Sequence, residues 1–295
     1  MNKLKVGIIG TGNIGADLMI KIGRSQYLEC TLFSGRNLSS KGMQKAISMG
    51  VPVSDKGIDA IINQPNCCDL VFDATSASSH FIHAPILKSL GKIVIDLTPA
   101  KIGLLTIPAV NLQEALINDN LNMITCGGQA TIPIAYAIGQ IQPNIEYIEL
   151  VSTIASKSAG PGTRANIDEY IETTEKALRH FSGCENVKVI LNMNPANPPI
   201  DMNTTIYIKT QFDNMMNIEK AVLEMVEKIK TYVPGYNLAM GPIYNNGILI
   251  LTIRVQGLGD YLPKYAGNLD IINSAAIAVA EEFSKNIHNG FHNEK

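Results

Sequence analysis

The sequence reads as an α/β protein of two domains, a parallel sheet covered by helices followed by an α+β layer whose sheet is mostly antiparallel. Three observations carry that reading. Short apolar runs alternate with helix-length amphipathic stretches over residues 4–125, the order changes to β-α-β-β-α-β beyond residue 145, and a glycine motif separates the first apolar run from the first helical pattern. With 295 residues, 46% hydrophobic and 17% charged, the chain is long enough to bury two cores.

"LKVGIIG" (4–10) is a buried strand, and Ile14, Leu18 and Ile22 then recur at helical spacing to about Arg24. "LECTLF" (28–33), "CDLVFDAT" (68–75), "GKIVIDLT" (91–98) and "LNMIT" (121–125) are further strands, most of them separated by a helix-length stretch. Such βαβ alternation buries a parallel sheet on both faces. Between the first strand and its helix stand Gly10, Thr11, Gly12, Asn13, Ile14 and Gly15, a GxGxxG in the position of a dinucleotide fingerprint. Glycines there let a pyrophosphate approach backbone N–H groups at a helix N-terminus. The first domain, residues 1–125, is therefore a Rossmann-type nucleotide domain.

The second domain, 126–269, carries the catalytic or substrate role and the dimerisation role. "IEYIELVSTIA" (145–155) is a strand, and the helix over 166–181 buries Ile167, Tyr170, Ile171, Ala177, Leu178 and Phe181, with Asn166 and Glu169 spaced as a capping box. "VKVILNM" (187–193), "TTIYIKTQ" (204–211) and "GILILTIRV" (247–255) are strands, and a helix carries Ile218, Ala221, Val222, Met225, Val226 and Ile229. The order suggests a ferredoxin-like layer with helices on one face. A last helix, roughly 270–286, is expected to return to the nucleotide domain, so that 270–295 completes it.

A net charge of -2 with dispersed Lys and Arg argues against nucleic acid or an anionic membrane as partner and toward small molecules. No apolar run reaches the roughly 18 residues of a membrane span, and the start lacks a signal-peptide pattern, so a cytoplasmic location is expected. Five cysteines without C-x-x-C pairs favour reduced thiols over disulfides or a metal site. Of the histidines, His80 and His83 fall on a helix, His180 near a helix end, and His288 and His292 in the tail; all read as surface or packing residues, with no general base among them.

Cys126, in "MITCGGQATIPIAYA" (123–137), stands apart. It follows the last strand of the nucleotide domain, where open α/β sheets place their ligand crevice. Thr131 and Pro133 mark a nearby helix start whose N–H groups would lower the thiol toward thiolate. Gly127 and Gly128 leave room for a substrate and can aim N–H groups at an oxyanion. Cys30, Cys67, Cys68 and Cys184 read as packing. A thiolate beside a nicotinamide adds to an aldehyde, gives up hydride from the thiohemiacetal, and leaves a thioester for a second nucleophile.

"GTGNIGADLMIKI" (10–22), "FDATSAS" (72–78), "DLTPA" (96–100), "TCGGQATIP" (125–133), "SKSAGPGTRANIDEYIETTEKA" (156–177), "MNPANPP" (193–199), "YVPGY" (232–236) and "YLPKYAGNLDI" (261–271) together resemble the acylating acetaldehyde dehydrogenases, over nearly the whole chain. The resemblance implies oxidation of acetaldehyde with NAD and coenzyme A, often in complex with an aldolase that delivers the aldehyde. It makes Cys126 the acyl-thioester nucleophile and Thr11 to Ile14 part of the pyrophosphate loop. It adds Ser158, Ala159, Gly160, Pro161, Gly162, Thr163, Arg164, Ala165, Asn166 and Asn268 as cofactor contacts. Residues 158–164 are too rich in glycine and proline for strand or helix and end at a helix N-terminus, which suits an anion or amide. Arg164 has Asp168, Glu169 and Glu172 as alternative partners, and Asn268 or Asp270 can cap a helix instead.

Three departures qualify the resemblance. Thr204 or Thr205 stands where the family has an Asp two positions before a Tyr, so the base is open. The segment between Tyr236 and Gly247 is short, which argues against an aldolase partner and for an active homo-oligomer formed through the second sheet. Strand two ends "Phe33-Ser34-Gly35-Arg36-Asn37" without the carboxylate that selects NAD; Ser34 and Arg36, helped by Lys41, suit a 2′-phosphate, so NADP is expected to be preferred. The alternative is NAD, with Asn37 or Ser39 on the ribose. Rival functions are a phosphorylating semialdehyde dehydrogenase and a noncatalytic dinucleotide-binding subunit.

Overall fold

Leu4–Ile9 (β1) is apolar on both faces and nearly all buried, the mark of a strand inside a parallel sheet. In the computed structural model, which describes residues 3–211 and 214–288, it lies in the first of two compact units, Met1–Met123 with Asn273–Lys295; the second is Ile124–Ile272. After β1 come α1 (Asn13–Arg24), β2 (Leu28–Ser34), α2 (Lys41–Ser48), β3 (Val53–Ser54), α3 (Asp59–Asn63), β4 (Leu70–Asp73), α4 (Ala77–Ser89), β5 (Ile93–Asp96), β6 (Leu104–Leu105), α5 (Pro108–Ala115) and β7 (Asn120–Asn122). The sheet is parallel throughout, in the order β3-β2-β1-β4-β5-β7-β6. Strand order reverses between β1 and β4, which opens a crevice at their carboxyl ends. Ile8, Phe33, Phe72 and Ile95 fill the core from the strands, and Leu18, Met19 and Ile22 from α1. The two-residue strands β3 and β6 are too short to show a period, and the sequence reading omits them.

The second unit begins with α6 (Cys126–Ile141), β8 (Tyr147–Ala155), α7 (Pro161–Ala165), α8 (Ile167–Ser182), β9 (Val187–Asn194) and β10 (Met202–Lys209). It continues with α9 (Met215–Lys230), β11 (Tyr236–Asn245) and β12 (Ile248–Val255), and α10 (Gly267–His288) follows. The sheet order is β11-β12-β10-β8-β9; β8 and β9 pair in parallel, and the other three pairings are antiparallel. The sheet thus has one strand more than the β-α-β-β-α-β pattern supplies. That strand, β11, lacks a clean alternation because its register on β12 shifts twice, around Met240 and before Ile243, with Gly241 at φ +81°. The signal for it was the Asn246-Gly247 pair: both residues have positive φ (50° and 79°), as a two-residue hairpin turn requires.

Three local expectations are corrected. Helix α6 starts at Cys126, not near Thr131 and Pro133, because the Thr125 side chain accepts the Gly128 N–H at 2.9 Å and caps the helix five residues before Thr131 and Pro133 suggest. Residues 158–164 are only partly irregular: Ser156–Ser158 forms a 3₁₀ turn and Pro161–Ala165 is α7, with proline in the first turn where its missing N–H costs nothing, and Ala159 and Gly160 between them have no regular structure. The Asn166 side chain caps nothing, since its Nδ2 donates back to Gly162 O at 2.7 Å.

From Asn273 onward α10 belongs to the first unit. Asn273 Nδ2 donates to Ile14 O (3.2 Å) and Asp17 Oδ2 (2.8 Å), Ser25 Oγ donates to Glu281 at 2.6 Å, and Ser284 Oγ donates to Tyr27 O at 3.0 Å.

Ile206 is fully buried in the central strand β10, between Leu150 and Leu251. Ile206→Ala should cost about 3 kcal/mol in urea unfolding, whereas Met216→Ala, at a residue 77% exposed, should stay within about 0.5 kcal/mol.

Candidate active site

At the carboxyl ends of β1, β2 and β4 lies a cavity of about 340 Å³, lined by Gly10, Thr11, Gly12, Gly35, Arg36, Thr75, Ser76 and His83 among others. Each motif glycine has its own reason. Gly10 has φ +105°, and a Cβ there would strike the Ala74 carbonyl; a Cβ at Gly15 would strike Gly10 O; a Cβ at Gly12 would meet nothing within 4 Å. The first allows the turn, the third lets helix and strand close, and the second leaves open space above the N-terminus of α1. Gly12 is the N-cap and has no side chain to cap with, so the first-turn N–H groups suit an anionic ligand. The cradle fits a dinucleotide pyrophosphate.

Arg36 is exposed and lines the cavity, and no carboxylate is among the described residues that do. Ser34 does not join it. Its hydroxyl is buried and donates to Gly57 O at 2.8 Å, which leaves no proton for a phosphate. Asn37 Oδ1 accepts from the Ser39 N–H (2.9 Å) and hydroxyl (2.7 Å) in a local turn.

Beside the cavity lies a charge network that the sequence reading missed. Asp73, at the end of β4, accepts Nδ1 of both His80 (2.9 Å) and His83 (2.8 Å) on one oxygen. His80 Nε2 lies 3.5 Å from Asp96 at the end of β5, and Asp96 accepts from Asn122 Nδ2 (2.8 Å) and the Thr98 N–H (2.7 Å). Burial pushes Asp73 up, but the hydrogen bonds from the two histidines together outweigh it and hold the carboxyl at about 2. Burial pushes His80 down, yet the Asp73 bond and the Asp96 charge leave it raised. Asp96, desolvated and facing Asp73, rises to about 7. His80 is therefore a fully buried member of an acid-base network, not a surface or packing residue. The available signal was a carboxylate at a strand end followed by two histidines three apart, hence on one helix face. His180 is exposed and stacks edge-on against Phe181; His292 and the side chain of His288 lie outside the described residues.

In the second unit Cys126 is the first residue of α6 and keeps part of its surface open. Burial pushes its thiol up to about 11, against the lowering effect of the Tyr170 hydroxyl and the Gly127 and Cys126 N–H groups. The helix start does act in the expected direction, but desolvation is larger, so the thiol is not depressed. Nor do the glycines leave room for substrate. A Cβ on Gly127 would collide with the Tyr170 hydroxyl and come within 3.0 Å of Ser152 Oγ, and one on Gly128 would come within 2.7 Å of Ile124. Protein atoms fill both spaces. Thr204, fully buried, pairs with Ser152 Oγ at 3.0 Å, and Thr205 with Thr252 at 3.0 Å.

Ser158 Oγ donates to Ala155 O (2.8 Å), and Arg164 donates to Ala159 O (3.0 Å) and Ser156 O (3.0 Å). Those side chains shape their own segment. Asn268 is 1% exposed, and its Oδ1 has no partner among the described residues.

Solved structures that share this fold include aspartate-semialdehyde dehydrogenases. A probable aspartate-semialdehyde dehydrogenase from Pseudomonas aeruginosa matches with a TM-score of 0.65 over 97% of this chain and 100% of its own, at 12% identity, a likeness of fold. Residues 5–116 match the family model "Semialdehyde dehydrogenase, NAD binding domain", and 126–263 match "Prokaryotic acetaldehyde dehydrogenase, dimerisation". The acetaldehyde dehydrogenase of Pectobacterium atrosepticum is 58% identical, covering 96% of both chains, and that of Spirochaeta aurantia is 57% identical over 97% of this chain and 96% of its own. The chain belongs to the acetaldehyde dehydrogenase family. It binds a nicotinamide dinucleotide and carries a homo-oligomerising domain. No helix among the described residues is long and apolar enough to cross a membrane.

His80→Leu leaves two buried carboxylates, Asp73 and Asp96, without their shared partner, and should cost about 3–5 kcal/mol at neutral pH by urea unfolding. Because Asp73 is depressed, its contribution in the parent is complete above the unfolded carboxylate range and is lost as pH falls toward about 2. The variant should show a flatter acid limb.

Proposed function

We propose that the enzyme oxidises a small aldehyde, acetaldehyde being the one its relatives' name gives, to the coenzyme A thioester, with NADP preferred over NAD. The observation that carries this is Cys126 in the first turn of α6, its sulfur facing backbone N–H groups. The sulfur adds to the aldehyde carbonyl: the C–S bond forms, the S–H bond breaks, the carbonyl π pair moves to oxygen and takes the thiol proton, and a thiohemiacetal results. Gly10, Thr11, Gly12, Asn13, Ile14 and Gly15 would hold the nicotinamide dinucleotide, which when bound would accept the hydride. Cys126 then holds the acyl group as a thioester until the thiol of coenzyme A displaces it. The unpartnered Asn268 Oδ1 supports a contact with an amide N–H of the cofactor. With the side chains of Ser158, Arg164 and Asn166 engaged locally, Gly160, Pro161, Gly162, Thr163 and Ala165 would contribute backbone.

We place the oligomer surface on the second unit's sheet and expect the chain to act without an aldolase. Five free cysteines support a reducing, cytoplasmic setting.

Cys126→Ala should lower aldehyde- and coenzyme A-dependent turnover by roughly 1,000-fold or more, with dinucleotide binding retained. Turnover that needs phosphate instead of coenzyme A would favour the phosphorylating reaction; binding without turnover in the parent would favour a noncatalytic subunit. Arg36→Ala should raise the KM for NADP about tenfold or more and leave that for NAD nearly unchanged. Equal or better kcat/KM with NAD in the parent would return the cofactor to NAD.

A further inference from the structure

Around the Cys126 sulfur the described groups that act on it are a phenol and two backbone N–H groups. No carboxylate and no imidazole is among them. A sulfur that must become anionic in so desolvated a place needs a hydrogen-bond donor there, since burial otherwise disfavours the charged form. Tyr170, on α8, is itself buried, and its hydroxyl occupies the space that a side chain at Gly127 would take. That hydroxyl completes a hydrogen bond with no described residue, although Cys126, Ser152 and Thr125 all surround it. A buried O–H left without an acceptor is costly, so one that persists calls for an explanation.

The Thr125 hydroxyl is already committed as a donor. Thr174 Oγ1 donates to Tyr170 O at 2.7 Å, so in the 2.7 Å contact between Thr125 and Thr174 the donor is Thr125. Thr125 in turn accepts from the Gly128 N–H at 2.9 Å. Ser152 and Thr204 share a bond of 3.0 Å across the β8–β10 pairing. The phenol is thus walled by hydroxyls and left with its own proton to give. Burial keeps it protonated far above neutral pH.

We propose that Tyr170 donates its hydroxyl hydrogen to the Cys126 sulfur as that sulfur becomes the nucleophile, with Ser152 and Thr204 as positioning residues that hold the phenol in place. The role rests on the reading of Cys126 given above. Tyr170 keeps its proton throughout. As the C–S bond forms, the S–H bond breaks and the thiol proton ends on the former carbonyl oxygen, so atoms and charge balance. The acceptor that Tyr170 lacks in the resting protein appears only with negative charge on sulfur, and a bond made then speeds the reaction more than one made in the ground state.

The test is alkylation of the intact protein by iodoacetamide across neutral to alkaline pH, with modification of Cys126 followed by peptide mass mapping. Tyr170→Phe should slow alkylation at neutral pH about tenfold or more and move its rise to higher pH. A merely structural tyrosine would change stability without moving that profile. Ser152→Ala and Thr204→Val should give smaller shifts the same way, and Thr204→Ser should restore most of the rate lost in Thr204→Val. A parental rate and pH dependence in folded Tyr170→Phe overturns the proposal. Should that variant not fold, Thr204→Val decides: an unchanged profile overturns it, and a slowed one rescued by Thr204→Ser supports it. Turnover surviving in Cys126→Ala would instead defeat the nucleophile reading, a separate result because alkylation reports the thiol whether or not it is used.

Discussion

The Thr125 hydroxyl takes the Gly128 N–H at 2.9 Å and gives its own hydrogen to Thr174 at 2.7 Å, and those two bonds set both where α6 begins and how it lies on α8. Because the cap is at 125, Cys126 occupies the first helical position and its sulfur meets unsatisfied N–H groups. Because Thr174 is the other partner, Tyr170, one turn earlier on α8, is brought against the same sulfur. Gly127 and Gly128 follow from this. Their missing side chains are what allow α6 to come this close to the phenol and to Ile124.

The two units stabilise their polar interiors by opposite means. In the first, the Asp73 and Asp96 carboxyls and the His80 imidazole lie together where water is scarce; against burial, hydrogen bonds from His80 and His83 hold Asp73 at about 2, while desolvation raises Asp96 to about 7. Breaking one member is expensive because it strands the others. In the second, Thr125, Ser152, Tyr170, Thr174 and Thr204 are neutral, and their bonds are individually modest. Desolvation keeps the resting thiol protonated, near 11, while the phenol and two backbone N–H groups favour the charged form. A carboxylate buried beside the sulfur would repel the thiolate as well as accept its proton.

Competition between burial and helix N-terminus explains why the thiol departs from what its neighbours in sequence suggest. Two N–H groups and a phenol pull its pKa down, but desolvation acts on the same atom and is the larger effect. The cofactor cradle shows the reverse case. It opens to a cavity, so the N–H groups at the start of α1 meet a ligand without that desolvation cost, and the glycine pattern is a faithful guide.

What the sequence by itself determined is therefore whatever depends on local pattern. The buried strands β1, β4 and β5 declare themselves by largely apolar runs, β8 and β10 by alternation, α8 and α9 by their apolar stripes, and the dinucleotide loop by glycines between a strand and a helix. β11 was not read from the sequence: Asn246-Gly247 carried a turn signal, but two register shifts hid the strand's alternation. The tertiary structure decided what depends on residues far apart in the chain. That His80 meets both Asp73 and Asp96, that Ser34 spends its proton on Gly57, and that Tyr170 and Ser152 fill the space beside Cys126 follow from strand order and helix packing. Protonation is set by the sum of burial and distant partners at one point in space, and no window of neighbouring residues contains that sum.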